Sequence, residues 1–434
     1  MLGLLARDDR GMESLNRNTS QGLVAVATCY GLAGVLAALW GATLAATDAR
    51  LGLDPGRLGG ALMALAVGAL MAMPVAGRLA DRWTGRRLLQ RTLPTAALAL
   101  AGPAVVPSAK LLALSAFVLG VQFGALNVAL TVQAVSVEDA IGRPVIARMH
   151  GVWAIGAVVG GATVAIGLRE GVDVRALMVA GAIAFAVAGR AAGARLPAWK
   201  PAGPRPSGAG AAVGIEATTR REPQLALVIA LGIVGATAFL TEGAATDWAG
   251  VHATRVLGAA PYTASLVYMV FFGAMTVVRF AGDAARARLG AAATMRLAGG
   301  TAAAGYVLVL LSGVLPAAMP ARVGCATAGW ALAGAGIAVV WPIVISTLGA
   351  ATARTRDRLA LATAVSYSGG LVGPALIGYV AARATLPVAL LIPTGLALLV
   401  SMAAPAILSR VMLDRRGADS SAPRSRPVPT AAAR

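Results

Sequence analysis

The sequence predicts an all-α membrane protein of twelve transmembrane helices, built as two six-helix bundles related by a pseudo-two-fold axis. Three observations carry that expectation. The first is composition: 58% of the 434 residues are hydrophobic and only 13% are charged, where soluble domains carry about 25% charged residues, and mean hydropathy is +0.76. The second is run length. The apolar stretches reach the roughly 20 residues a helix needs to cross a bilayer and do not alternate like barrel strands. The third is a repeat. Gly77-Arg78-Leu79-Ala80-Asp81-Arg82-Trp83-Thr84-Gly85-Arg86-Arg87 returns in degraded form as Arg279-Phe280-Ala281-Gly282-Asp283 with Arg286 and Arg288, and Asp81 to Asp283 is 202 positions, close to half the chain.

In order, the predicted spans are 22–47, 57–80, 88–109, 110–136, 146–168, 173–196, 223–248, 262–285, 292–315, 320–348, 358–384 and 386–410. The third is the weakest, because Pro94, Pro103 and Pro107 interrupt it. Residues 1–21 mix arginines with acids and read as a cytoplasmic tail ahead of an uncleaved signal anchor. Residues 197–222, from Pro197-Ala198-Trp199-Lys200-Pro201 to Arg220-Arg221, are rich in Pro, Gly and Ser, and read as a flexible cytoplasmic linker between an N-terminal bundle (22–196) and a C-terminal one (223–410). Residues 411–434, rich in Pro, Ser, Ala and Arg, read as a disordered cytoplasmic tail.

Lysine and arginine set the orientation. With the first residues inside, the outer loops hold Arg50, Arg57, Lys110, Arg169, Arg175, Arg255, Arg322 and Arg383; the other 29 of the 37 basic residues fall in tails, inner loops or inner helix ends. Both termini are therefore expected in the cytoplasm, in the inner membrane of a bacterium. The net charge of +19 follows this loop pattern and forms no basic face with interleaved aromatics, so nucleic acid is not an expected partner. Cys29 and Cys325 lie inside predicted spans, and with two histidines and no HExxH, CxxC or Walker loop the sequence calls for no metal or cofactor.

The two halves also share glycine pairs four residues apart. Gly156 and Gly160 in span five and Gly369 and Gly373 in span eleven are offset by 213 positions in both cases. Small residues at that spacing let helix backbones approach closely, and the shared offset argues for two related halves.

The loop Gly77–Arg87, which reads roughly Gly-x-x-x-Asp-Arg-x-Gly-Arg-Arg with one extra residue at Trp83-Thr84, resembles the signature between helices two and three of the major facilitator superfamily (MFS). The resemblance covers residues 22 to 410. At finer grain Leu51-Gly52-Leu53-Asp54, Asn127-Val128-Ala129-Leu130, Arg143-Pro144 leading to His150-Gly151-Val152-Trp153, and Glu242-Gly243-Ala244-Ala245-Thr246-Asp247-Trp248 resemble the YbjJ-type bacterial branch, distantly related to fucose-type sugar permeases. The resemblance implies a secondary transporter that moves a small organic solute by alternating access, a monomer, and no enzyme. It also implies a gating loop made of Gly77, Asp81, Arg82, Gly85, Arg86 and Arg87, with Asp283 in the weaker copy. The acid would face a helix N-terminus in the other half, an arrangement favoured by roughly 0.3–1 kcal/mol.

In that fold spans one, four, seven and ten line a central cavity, and polar residues there are costly in lipid. Span four offers Gln122, Asn127, Thr131 and Gln133. Asn127 and Thr131 share one helix face and Gln122 and Gln133 another, with interhelical hydrogen bonding as the plain alternative. Glu242 and Asp247 are the carboxylates within a predicted span away from its cytoplasmic end, and an acid there can exchange protons. Counted from Pro223, Glu242 lies ~28 Å along span seven, toward the outer interface, so an outer gate or pairing with Arg255 competes with proton coupling. Tyr30, Trp40, Trp248, Trp330 and Trp341 are aromatics in lining positions; Trp248 reads as an interfacial anchor and Trp341 as a cavity residue. His150 reads as an inner-interface residue. The competing functions are an uncoupled facilitator, a drug or metabolite exporter, and a transporter-like sensor or scaffold, the last disfavoured by the lack of a soluble output module.

Overall fold

The structure, a computed structural model, describes residues 2–141, 145–197, 225–351 and 356–420. The central linker and residues 421–434 lie outside them. Among the described residues the ordered elements are all helical. Span one is α1 (Leu2–Gly41) continued by α2 (Leu44–Leu51); span two is α3 (Pro55–Arg82); span three is α4 (Gly85–Ala99) with α5 (Ala101–Val105). Then follow α6 (Ala109–Ile141), α7 (Ile146–Arg169) and α8 (Val174–Ala194). The second half runs α9 (Leu225–Arg255), α10 (Pro261–Leu289), α11 (Ala291–Val314), α12 (Met319–Ile337) with α13 (Val340–Ala351), α14 (Arg356–Arg383), and α15 (Leu386–Ala389) with α16 (Leu391–Ser420). Ten spans among the described residues are long and apolar enough to cross a membrane; α4 with α5, and α14, fill the third and eleventh positions.

Local chemistry explains the boundaries. Pro55 starts α3 with Asp54 as its cap, the carboxylate accepting from the Arg57 N–H at 2.9 Å. That backbone hydrogen bond holds the Asp54 carboxyl below the usual carboxylate range. Thr84, in the Trp83-Thr84 stretch that holds the signature loop's one extra residue, caps α4 by accepting from the Arg87 N–H at 3.3 Å. Span three breaks at Leu100, as its prolines suggested: Pro103 has no N–H for the Ala99 carbonyl and its ring crowds that group, so α4 stops at Ala99. Arg50 takes up the carbonyls at the far end of α5, donating to Pro103 O at 3.0 Å and Val106 O at 2.9 Å.

Four boundaries differ from the sequence reading. Helix extends back to Leu2, where a tail was expected, and forward to Ser420, nine residues past the point where disorder was expected to begin. Both flanks hold good helix formers that continue an existing helix, and extending a helix costs far less than nucleating one. Span one reaches Leu51 beyond the expected 47, and span seven reaches Arg255 beyond 248. Hydropathy ended span one just before Asp48 and span seven just after Asp247, whereas each helix continues until glycine geometry stops it, at Gly52 (φ 55°) and Gly258 (φ 72°).

Helix packing repeats between the halves. In the first, α1 packs on α7, α8 and α6, α3 on α6, and α4 on α6 and α8; in the second, α9 packs on α14, α16 and α12, α10 on α12, and α11 on α12 and α16. Each contact maps onto its counterpart six spans later. The halves meet along two seams, α7 against α10 and α3 against α14, which the same operation exchanges.

The glycines make these contacts possible. A Cβ at Gly156 would fall onto the Gly31 carbonyl oxygen of α1, and one at Gly160 would meet Val35 and Ala38. A Cβ at Gly369 would fall onto the Ala236 carbonyl oxygen of α9, and one at Gly373 would meet Leu240. Gly156→Val and Gly369→Val should each lower the thermal midpoint in detergent, by an overpacking cost of about 1–3 kcal/mol. Gly77→Ala, with nothing within 4 Å of the added Cβ, should leave the midpoint unchanged or raise it.

Candidate functional site

Glu242 of α9 and Arg279 of α10 lie together inside the second bundle, Oε2 to Nη2 at 3.6 Å, each about a fifth exposed. The longer α9 changes the depth of Glu242. It sits 17 residues from Leu225 and 13 from Arg255, ~25 Å and ~20 Å along the axis, which is mid-depth and not the outer interface. Arg279 lies ~27 Å below the start of α10 at Pro261. Side chains on a helix lean toward its N-terminus, so the guanidinium rises to the level of Glu242. Asp247 makes no hydrogen bond or ion pair among the described residues and is half-buried.

Arg255 does not pair with Glu242. It crosses to the other half, donating from Nε to Asp48 Oδ2 at 2.7 Å and from Nη2 to Asp48 Oδ1 at 2.5 Å and to the Leu53 carbonyl. Asp48 is 4% exposed and Arg255 27%. A second tie lies close by. The break between α1 and α2 frees the Ala42 carbonyl, which accepts from Ser265 Oγ of α10 at 2.8 Å, and the Tyr268 ring fills the space beside Gly41. Below them, Gly59 of α3 faces Gly378 of α14 so closely that a Cβ would lie 2.8 Å from the Gly378 Cα. The ends of α2 and α9 are thus fastened across the halves at one membrane face.

The predicted lining residues divide. Gln122 accepts from Thr95 Oγ1 of α4 at 2.9 Å, the interhelical bond that was its alternative role. Gln133 is buried beside Gly85. Asn127 and Thr131, about 140° and 180° round α6 from Gln122 at 100° per residue, are exposed, with Thr131 Oγ1 donating to the Asn127 carbonyl at 2.9 Å. Tyr30 and Trp40 are buried and do not face an open cavity; Tyr30 meets His150 edge-on at 5.7 Å. Trp248 is completely buried, so the anchor reading was wrong: the extension of α9 carries seven more residues past it. Trp330 is likewise buried, packed on Tyr306 and His252. Trp341 is half-buried against Phe239 of α9 at 5.1 Å and keeps its candidacy.

The signature stretch is almost wholly helical, α3 running to Arg82 and α4 starting at Gly85. Gly85 lets α4 lie against Val132 and Gln133 of α6. Arg91 stacks over Trp83 at 4.4 Å, Arg86 donates to the Ala194 carbonyl at 3.4 Å, and Arg82 and Arg87 are exposed. The side chains of Asp81 and Asp283 lie outside the described residues. In the second copy Arg286 donates to Ser346 Oγ of α13 at 2.7 Å.

Sequence reasoning missed Asp48 and Arg279. Asp48 was assigned to an outer loop, although Gly52 four residues on is a helix-stop signal; Arg279 was noted as part of a worn motif and given no role.

Paired six-helix bundles, a charged pair held at mid-depth and polar ties closing one end make a membrane transporter. No family model matches the chain. An uncharacterized MFS-type transporter of Yersinia pestis is 30% identical over 375 residues, 84% of this chain and 90% of the relative. The uncharacterized transporter y4wD of Sinorhizobium fredii is 29% identical over 88% of this chain and 97% of its own, and the membrane protein MosC of Rhizobium meliloti is 26% identical over 88% and 89%. The chain belongs to the major facilitator superfamily; none of these three bears the name of the YbjJ-type branch. Among solved structures the nucleoside transporter NupG matches with a TM-score of 0.64 at 15% identity, covering 89% of this chain and 98% of that one, and a mutant of it with 0.66 at 14% identity, covering 88% and 99%.

Asp48→Asn should loosen the closed end. Spin labels at the exposed Ala49 and Tyr262, one in each half, should show the separated population rising about tenfold or more, the scale for truncating one partner of a buried charge pair. The exchange Asp48→Arg with Arg255→Asp should restore the narrow distribution; an unchanged distribution in Asp48→Asn would assign closure to the Ser265–Ala42 tie and the glycine seams.

Proposed function

We propose that this protein is a proton-coupled secondary transporter of a small organic solute, with both termini in the cytoplasm and Glu242 as the group that couples proton to solute. The observation that carries the reading is the Glu242–Arg279 pair at mid-depth, with Asp247 on the same helix and without a partner among the described residues. Carboxylates in that position are expensive unless they work. Protonating Glu242 releases Arg279, and a charge that must be re-paired gives the two access states different energies. Asp247 is the second acid through which a proton can pass. Asn127, Thr131 and Trp341 offer the solute two hydrogen-bonding groups and a ring face.

With the orientation that the basic loops predict, the ends of α2 and α9 lie outside, and the Asp48–Arg255 tie closes the outer face. The described conformation is then the one closed to the exterior. The transport unit is a monomer of two bundles, 22–196 and 223–410, joined by the 197–222 linker, and the halves rock about the seams where α3 meets α14 and α7 meets α10.

A second reading, an uncoupled facilitator, draws on the same pair: a carboxylate already held by Arg279 has no need of a proton. Proteoliposomes separate the two. A solute found by thermal-shift screening, beginning with nucleosides and sugars, should be concentrated against its gradient by wild type when a pH gradient is imposed. Glu242→Gln should abolish accumulation while retaining equilibrating flux, and Asp247→Asn should slow gradient-driven uptake more than exchange. Normal accumulation by Glu242→Gln removes the coupling role from Glu242, and a wild type indifferent to the pH gradient establishes the facilitator.

A further inference from the structure

A groove of about 700 Å³ opens on the flank of the first bundle between α4 and α8, lined by Arg86, Gln90, Pro94, Val187, Arg190 and neighbouring alanines. It lies away from the central cavity, the half–half seams and the closed end, and nothing in the transport reading uses it. Its upper part is cationic. Arg86 is the second residue of α4 and Arg190 lies within five residues of the end of α8, so both guanidiniums sit at a helix end, at the level of lipid headgroups. Arg190 is exposed and makes no hydrogen bond or ion pair among the described residues.

The lower part is apolar and points toward the membrane interior. One turn further from the helix ends, Leu98 follows Pro94 on α4 and Ile183 precedes Val187 on α8; the three branched residues are between 53% and 66% exposed. A free anion has no use for such a slot, whereas an acyl chain fills it.

We propose that this groove binds one anionic phospholipid, its phosphodiester held by Arg190 and Arg86 and one acyl chain laid along Val187, Ile183 and Leu98. The headgroup class follows from what the walls lack. None of α4, α5 and α8 contains an aspartate or glutamate, so among the described residues the groove walls offer no carboxylate to the ammonium of a zwitterionic headgroup, while a net-negative one meets two cations. Basic pockets between membrane helices select anionic headgroups on this principle. Gln90 and Arg86 also cap α8, donating to Gly193 O at 2.8 Å and Ala194 O at 3.4 Å, so a filled groove would brace the same helix end that forms it.

The test is native mass spectrometry of the purified full chain, equilibrated with equal amounts of phosphatidylglycerol and phosphatidylcholine of the same acyl composition. Wild type should retain phosphatidylglycerol over phosphatidylcholine, and Arg190→Ala should cut that retention about fivefold, the weight of one basic residue at an anionic surface. Arg190→Lys should keep most of it, and Arg169→Ala, at the opposite end of the bundle, should change nothing. Arg190 has no partner among the described residues, so its variants read lipid binding without the folding risk of replacing Arg86. Equal retention of the two lipids, full retention in Arg190→Ala, or displacement by millimolar inorganic phosphate as effective as displacement by added phosphatidylglycerol would each overturn the proposal, the last by making the groove an anion site.

Discussion

Backbone-close packing is the constraint on which the rest of this structure depends. Inside a bilayer, apolar side chains gain little by leaving lipid for protein, so helices associate through contact quality and polar ties. The chain meets that demand with glycine. The seams of α1 with α7 and of α9 with α14 are built on Gly156, Gly160, Gly369 and Gly373, and their partners Gly31, Val35, Ala236 and Leu240 are themselves related by one offset of 205 positions. Within each half such contact fixes a rigid unit. Between the halves, Gly59 against Gly378 is a contact of similar closeness.

Polar groups are sparse on this scaffold, and their placement separates fixed from movable parts. Ties within one half cap helices or join neighbours, as Arg50 does for α5, Gln122 for α4 and Arg286 for α13. Among the described residues, those between the halves, Asp48 with Arg255 and Ala42 with Ser265, gather at one membrane face. The mid-depth Glu242–Arg279 pair joins two helices of the same half, so a change in its charge acts on the shape of that half before it reaches the seams.

Much of this was legible in the sequence because membrane helices obey few rules. Run length located the ten described helices long and apolar enough to cross a membrane, with helices also found at the third and eleventh positions, Pro103 marked the break in span three, and the common offset of the glycine pairs foretold which helices would lie backbone to backbone. The site was less legible. Hydropathy read Asp48 as the end of span one and left it in an outer loop, and it closed span seven just past Asp247, which pushed Glu242 toward the surface, although glycine stop signals placed both helix ends further on. Tyr30, Trp40 and Trp330 were assigned to a cavity by their span, but rotation about the helix axis decides whether a ring faces an opening or a neighbour, and composition carries no record of that angle. Partner choice is also invisible in one dimension: Arg255 and Glu242 sit on one helix, and only three-dimensional packing sends the first to Asp48 and leaves the second for Arg279.

The bidentate clasp between Asp48 and Arg255 has a kinetic corollary. Wherever the halves part at that end, both ions must be rehydrated, and water or dissolved salt reaches them from a single compartment. The barrier to parting should therefore respond to ionic strength on that side of the bilayer and be insensitive to it on the other. Such sidedness would let the conditions in that one compartment set how often the carrier resets, without altering the affinity of the solute for its site.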